Sequence, residues 1–390
     1  VTALGWGARP LPLPPGLEAE VVPPPAPPPV ADVDAALAAA LRHPVGSRPL
    51  REVVTARTRA VVILPDARRA APRAALYAAL RRELAALPDD RITLAIANGG
   101  HAPGPLEELG LPPEALARHR VVNHDARDVA ALVEMGRTSR GTRLRLARCL
   151  AEADVVVTTG RVKPHPFVGY GGGATGIFPG LGQRDDIRQS RALGDDPASR
   201  LGRADQNPCR DDLEEAARRL GRDTFLLDVI EAGGAFAGAV AGDLVLAHRE
   251  GVRRLRPYVE VRAAPAGVVI ASARLPVAAS LAQAARLVAP AGLLLAEGGV
   301  AILAVECPGG VGPVRGAGEP VFDRRLRRYL PPGGSLLVVS SLDEATVRAA
   351  GAEPAPSLEA ALAEARRRTG GAARVVVLPD AGDLVPVRAG

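Results

Sequence analysis

Residues 154–182, DVVVTTGRVKPHPFVGYGGGATGIFPGLG, decide how the chain is read. The run Asp154 to Thr159 is apolar and β-branched, the pattern of a buried strand. Gly160 then starts a loop that carries Lys163 and His165. Gly169, Gly171, Gly172 and Gly173 follow, and the loop closes on Pro179-Gly180. In α/β proteins ligands bind beyond the carboxyl ends of strands, where such loops lie. Glycine lets the backbone approach a phosphate or a flat ring with no Cβ in the way. A histidine just before such a loop is placed for acid–base work on what the loop holds.

The same strand-then-loop pattern recurs on both sides of this stretch. Upstream, Ala60 to Leu64 reads as a buried strand, followed by PDARRAAPRAALYAALRREL, a loop and a helix with Pro72 in its first turn. Ile92 to Ala97 is a second strand and ends in NGGHAPG. Residues 105–118 read as helix in two pieces. Arg120 to Val122 is a short strand ending in Asn123-His124-Asp125. Residues 1–30 are Pro-rich extended chain with a short strand or two, and 31–55 begin with an amphipathic helix. Downstream, 211–221 and 243–255 read as helices and 225–230 as a strand. Near residue 256 the pattern restarts, with strands at 268–273, 300–307, 335–341 and 374–379. Helices are expected at 277–289, 343–350 and 357–368. Strands alternating with helices at this spacing predict an α/β fold of doubly wound, mostly parallel sheets. Two domains are expected, 1–255 and 256–390, with a cleft between them. The last segment is open to a return to the N-terminal domain.

Composition bounds the function classes. A chain of 390 residues can bury two cores. Hydrophobic content of 47% and charged content of 24% are those of an ordinary globular protein. No apolar run reaches membrane-spanning length; AGLLLAEGGVAILAVEC is interrupted by Glu297. The N-terminal residues lack the charged and apolar regions of a signal peptide. Cys149, Cys209 and Cys307 show no metal or disulfide spacing, so a reduced, cytoplasmic setting is expected. The net charge is +6, yet Lys163 is the single lysine among 49 basic residues. The arginines are interleaved with acids, as in RRELAALPDDR, which argues against a nucleic-acid partner. A small-molecule partner is expected, and no membrane partner.

Several polar groups share one kind of position. Asp66 and Arg69 follow the strand 60–64, His101 follows 92–97, His124 follows 120–122 and His165 follows 154–159. Gln283 and Arg286 lie on the helix after 268–273. Taken singly, each has a plain reading as a surface or turn residue, and His124 in Asn-His-Asp reads as turn-stabilising. Together on one sheet edge they mark an active site. GGGATG matches the spacing of a dinucleotide fingerprint, but starts well past the strand and lacks the acid that should follow. No Lys-Ser/Thr follows Gly176, no Cys/His cluster suggests zinc, and no G-x-S-x-G is present.

Taken as an ordered set, ALRHPVGSRPL, PDARRAAP, ANGGHAPGPLEELG, VVNHDARD, ADVVVTTGRVKPHPFVGYGGGATGIFPG, NPCRDDLEEAA and LAQAARL resemble the nickel-dependent lactate racemase family. The resemblance covers nearly the whole chain. It implies a two-domain α/β enzyme that inverts the stereocentre of a 2-hydroxyacid. The family's cofactor is a nickel-pincer nucleotide, a substituted pyridinium mononucleotide. One histidine takes the hydroxyl proton while C2 gives up a hydride, and the flat ketoacid takes the hydride back on either face. His101 and His165 match the two bases this requires. Arg69 matches the cation that holds the carboxylate, a task suited to a guanidinium fork. Gln283 matches a substrate contact of the second domain, and Arg286 stands where the family has lysine. Asp66, Lys163, Gly171, Gly172, Gly173 and Thr175 fall on the cofactor side.

Two positions depart from the family pattern. Thr175 stands where the family's lysine ties the cofactor covalently. Arg191 stands where a histidine ligates nickel, and a guanidinium has no lone pair to offer. Lys163 is an alternative tether on the other side of His165. The expected activity is therefore racemisation or epimerisation of a 2-hydroxyacid by hydride transfer to a pyridinium nucleotide held non-covalently, with no metal ligand assigned. The alternatives are nickel-independent chemistry on a hydroxy or keto acid, and non-catalytic ligand binding.

Overall fold

Ala60–Pro65, AVVILP, is buried at every residue and forms the middle of a six-stranded sheet. In a computed structural model that describes residues 3–69, 71–312 and 320–389, this strand (β1) is followed by β2 (Ile92–Ala97), β3 (Arg120–Asn123), β4 (Val155–Val162), β5 (Asp223–Ala232) and β6 (Ala235–Gly242). The order across the sheet is β6-β5-β4-β1-β2-β3. All neighbours are parallel except β5 and β6. Alternate residues of β1 serve two cores. Ala60, Val62 and Leu64 pack with Leu37, Leu41, Leu76 and Leu80, whereas Val61 and Ile63 pack with Leu150, Phe178 and Leu213. A sheet covered on both faces explains why its strands read as continuous apolar runs.

By its contacts the chain forms two compact units, Pro27–Arg256 and Val1–Ala26 with Pro257–Gly390. The second unit is built on Ala266–Arg274, which pairs in parallel with Leu295–Ala304 and Val375–Leu378. Its last two residues pair with Trp6 and Gly7 of the strand Ala3–Gly7. The first segment of the chain, grouped with 1–255 from the sequence, thus belongs to the C-terminal unit through backbone hydrogen bonds. The last strand, Val385–Arg388, pairs with Glu260–Ala263 inside that same unit rather than returning to the N-terminal one. Val268, Ile270, Val300, Ile302 and Leu337 make its core with Leu358 and Leu362.

The structure corrects several expectations about elements. β4 does not end at Thr159 but runs through Gly160 to Val162, because β5 pairs with it as far as Ile230. The helix expected over 277–289 is broken into Val277–Ala279, Leu281–Ala284, Ala285–Leu287 and Val288–Leu294. Its ladder is interrupted because the N–H groups of Leu281 and Ala282 donate to the carbonyls of Gly310 and Val311. The strand expected at 300–307 begins at Leu295 and ends at Ala304. A hairpin of Leu132–Arg137 with Arg143–Ala147, and the Gly/Ala-rich β6, carried too weak an alternation to be read. Among the described residues, no helix is long and apolar enough to cross a membrane.

Candidate active site

The sheet of the Pro27–Arg256 unit has a topological switch point. From β1 the chain runs outward through β2 and β3, then returns to β4 on the other side of β1. Pairing between β1 and β4 stops at Ile63 and Thr158. β4 continues alone alongside β5, so the two central strands part at their carboxyl ends. Thr159 Oγ1 caps the fork by donating to the Ile63 carbonyl at 2.8 Å. Gly176 sits over it, with space for a Cβ limited by Ile63 and Thr158 side-chain atoms at 3.4 and 3.7 Å. Crevices of this origin are where open α/β sheets bind ligands.

The turn after β1 supplies Asp66, Arg68 and Arg69. Asp66 is buried, and its carboxylate accepts from Arg68 N and Nε at 2.9 and 3.1 Å and lies 3.4 Å from Arg69 Nε. Arg69 is 61% exposed, so one edge of its guanidinium is held while the remainder faces solvent. Arg73 behaves differently. It is buried and donates to the carbonyls of Pro65, Asp66, Arg69 and Leu109, which sets the shape of the turn.

His101 follows β2 in a turn in which its N–H donates to Asn98. Arg68 reaches the neighbouring Ala102 carbonyl at 3.2 Å. Burial, then the charges of Arg68, Arg69 and Arg191, lower the His101 pKa below 6.5, with Asp66 opposing. His101 is thereby kept neutral, the state a proton acceptor needs. Buried Asn98 braces the turn by donating to Asn123 Oδ1 and the His124 carbonyl, each at 2.8 Å. His124 is itself buried and bonded through Nε2 to the Gly182 carbonyl at 2.9 Å, a turn-stabilising position. A cavity of about 40 Å³ lies between the ends of β1, β2 and β3, bordered by Asp66, Arg68, Asn98, Glu108 and Asn123. It has room for a few water molecules.

His165 does not sit in a free loop. Pro164–His165 and Gly169–Tyr170 form a small antiparallel ribbon. His165 Nδ1 accepts from the N–H groups of Phe167 and Val168 at 3.2 and 3.3 Å. In the neutral ring the proton then resides on Nε2. Lys163 precedes the ribbon, and its carbonyl accepts from Gly171 N at 2.7 Å.

The glycine turn rests on buried polar side chains that the sequence did not single out. Arg210, fully buried, donates to the carbonyls of Tyr170 and Gly172. His248 Nε2 donates to the Gly171 carbonyl at 2.9 Å. Asp228 on β5 accepts from Gly173 N at 2.7 Å. Gly172 and Gly173 have φ of +80° and +63°, and a Cβ on Gly172 would lie 2.3 Å from Asp228 Oδ2. Glycine is required there on both counts. The acid inside the apolar run FLLDVI was a legible signal for Asp228. Arg210 had no signal beyond its place in the matching stretch NPCRDDLEEAA, being one arginine among 48.

The family model of the lactate racemase N-terminal domain matches residues 4–202. The chain belongs to the lactate racemase family. The lactate racemase of Lactiplantibacillus plantarum is 25% identical over 371 residues, 87% of this chain and 88% of that protein. The lactate racemase of Thermoanaerobacterium thermosaccharolyticum is 27% identical over 279 residues, 70% of this chain and 66% of that protein. Among solved structures, a lactate racemase apoprotein from the same Thermoanaerobacterium superposes with a TM-score of 0.88 at 22% identity, covering 99% of each chain. A protein from Thermotoga maritima superposes with a TM-score of 0.62 at 13% identity, covering 92% of this chain and 97% of that one. These structures share the fold, a mixed, mostly parallel α/β architecture.

In this member of the lactate racemase family Thr175 and Arg191 have defined surroundings. Thr175 lies in the turn Gly173–Gly176, and its hydroxyl donates to the Gly172 carbonyl at 3.0 Å. Arg191 caps the helix Arg184–Ser190, and its charge acts on His101. A bonded hydroxyl is not an amine, and a guanidinium is not a metal ligand. These residues do not fit a covalently tethered, histidine-ligated nickel group. Gln283 lies in Leu281–Ala284 and Arg286 in Ala285–Leu287 of the other unit, where Arg286 Nε donates to the Gln283 carbonyl at 3.1 Å.

Proposed function

We propose that the chain is an isomerase of the racemase or epimerase type acting on a small 2-hydroxyacid. The observation that carries the reading is His101, held neutral at the switch-point edge beside the Asp66-anchored Arg68 and Arg69. Arg69 binds the substrate carboxylate with its solvent-facing edge. His101 takes the hydroxyl proton. His165, with its proton on Nε2, donates a hydrogen bond to the same oxygen as it becomes a carbonyl, the part a neutral imidazole plays as electrophile. For the opposite enantiomer the roles exchange, which requires His165 to give up its present Nδ1 contacts. Gln283 and Arg286 are proposed as further substrate contacts on the strength of the family resemblance.

The cofactor proposed with this reading is a pyridinium mononucleotide held without a covalent bond, near Asp66, Lys163, Thr175 and the glycines Gly171, Gly172 and Gly173. When bound it supplies a hydride acceptor. Thr175 and Arg191 favour a second reading, nickel-independent chemistry on a hydroxy or keto acid at the same residues. The test is incubation of the purified chain, with its native ligand retained, with single enantiomers of lactate and larger 2-hydroxyacids. Chiral chromatography should show the opposite enantiomer appearing. Turnover to a product other than the enantiomer would select the second reading. No turnover by protein carrying a verified nucleotide would reject both.

A further inference from the structure

Beneath the glycine turn lies a cluster of buried titratable groups that the proposed chemistry does not use. Asp228 faces Gly160 across the β4–β5 pairing. Its Oδ2 accepts from Gly173 N, whereas its Oδ1 is buried with no hydrogen-bond partner. A Cβ on Gly160 would lie 3.0 Å from Oδ1, so glycines on two sides make room for this carboxyl. Arg210, on the helix Pro208–Arg218, acts on it with its charge; Glu214 of the same helix and Arg249 of the helix Leu246–Val259 act in turn on Arg210, as does Arg210 on His248. An acid this deeply buried, with half its hydrogen-bonding capacity unused, is expensive to keep unless it has a task.

We propose that Asp228 is a positioning residue of the site, holding the turn Gly171–Gly173 through the Gly173 N–H and so fixing the adjoining ribbon that carries His165. The other side-chain contacts to the turn come from donors, Arg210, His248 and Thr175, which hold carbonyls. Asp228 is the acceptor of the set. Burial pushes its carboxyl up to about 7, against the Gly173 bond and the Arg210 charge. His248 is held neutral by burial, and Arg210, brought down to about 10, stays charged. Of these three, Asp228 is the group that changes charge near neutrality. Ionised, it accepts the Gly173 N–H more strongly, since bonds to a charged acceptor are the stronger kind. While Asp228 stays buried, lifting the turn alone removes the Gly173 bond that lowers its pKa, so this local opening becomes harder as pH rises through neutrality, although the fold as a whole loses stability.

The role in catalysis rests on the racemase reading, whereas the hold on the turn does not. The experiment is hydrogen–deuterium exchange of the full chain, wild type, Asp228→Asn and Asp228→Ala, with thermal melting as a check on folding. Protection factors for the peptide spanning Gly171–Thr175 are followed from about pH 6 to 8. In the wild type, protection should rise several-fold across this range, and in Asp228→Asn it should not change. In Asp228→Ala it should fall at least tenfold while β1 and β4 stay protected. Should the alanine variant not fold, the asparagine variant carries the test. Wild-type protection flat with pH, or the same pH dependence in Asp228→Asn, would overturn the proposal. With a 2-hydroxyacid turned over, Asp228→Asn should also lose the wild-type inflection of kcat near neutrality. If no substrate is turned over, the functional reading fails and the exchange data still judge Asp228.

Discussion

Gly99 donates its backbone N–H to the carbonyl of Gly180 at 2.8 Å, which ties the turn carrying His101 to the end of the loop carrying His165. The two histidines come from strands on either side of β1, and this bond joins their loops directly. The surroundings of Gly180 leave no tolerance. A Cβ there would lie 2.0 Å from the Gly176 carbonyl oxygen and 2.9 Å from Ala97 Cβ. Gly180→Ala should destabilise the fold by about 1–3 kcal/mol, the range for forced overpacking. Urea unfolding measures this, and a change below about 0.5 kcal/mol would show that the loop end shifts freely.

Arg69 and Arg73 should separate cleanly. Arg69→Ala removes an exposed guanidinium, so the melting temperature should stay within about two degrees, as surface changes are small. KM for a 2-hydroxyacid should rise tenfold or more. Arg73→Ala removes the guanidinium from the carbonyls of Pro65, Asp66, Arg69 and Leu109, at about 1–3 kcal/mol for a buried carbonyl left unpaired. It should lower stability first and activity through it. Equal KM effects in both variants would contradict the assignment.

The acid limb of the rate should report His101. Its pKa is lowered from 6.5 by burial first and then by Arg68, so the neutral base persists on acidification to below that value. The wild-type kcat/KM profile should therefore fall only below about pH 6.5. In Arg68→Ala the limb should move to higher pH, because a cation that disfavours imidazolium has gone. A wild-type limb at or above 6.5 would count against His101 as the base. His101→Ala and His165→Ala should each abolish interconversion of enantiomers.

Asp228 should also mark the stability curve. Its folded pKa is raised above the ordinary 3.8, so its stabilising contribution is full at low pH and is lost as pH rises through about 7. The melting temperature of Asp228→Asn relative to wild type should therefore climb between about pH 4 and 7 and then level. A constant difference across that range would show that the carboxyl ionises as in the unfolded chain.

Nickel uptake tests the reading of Thr175 and Arg191. Made alongside the family's cofactor-synthesis enzymes, the wild type should show neither stoichiometric nickel nor a covalent adduct by elemental analysis and intact-protein mass spectrometry. The Thr175→Lys, Arg191→His double variant should gain nickel, since an amine and a neutral imidazole would then be present. Nickel and an adduct in the wild type would refute the altered-cofactor reading.

Much of the fold is legible in the chain itself. The apolar runs of β1, β2 and β4 announce strands because a sheet covered on both faces needs apolar residues at every position. Gly-rich and charged stretches after them announce the loops on which the candidate site is placed, since loops at strand ends leave backbone accessible. What lay hidden was set by pairings distant in sequence. Trp6 and Gly7 join Ala273 and Arg274 through backbone bonds that no side-chain pattern encodes. The split between β1 and β4 depends on where register pairing stops, at Ile63 and Thr158, and not on any residue type. Arg210 and His248 read locally as ordinary charges on helices, and Asp228 as an acid out of place in an apolar strand with nothing to say what it holds. Only the tertiary structure turns them beneath the glycine turn, where burial changes their protonation and gives their hydrogen bonds a consequence.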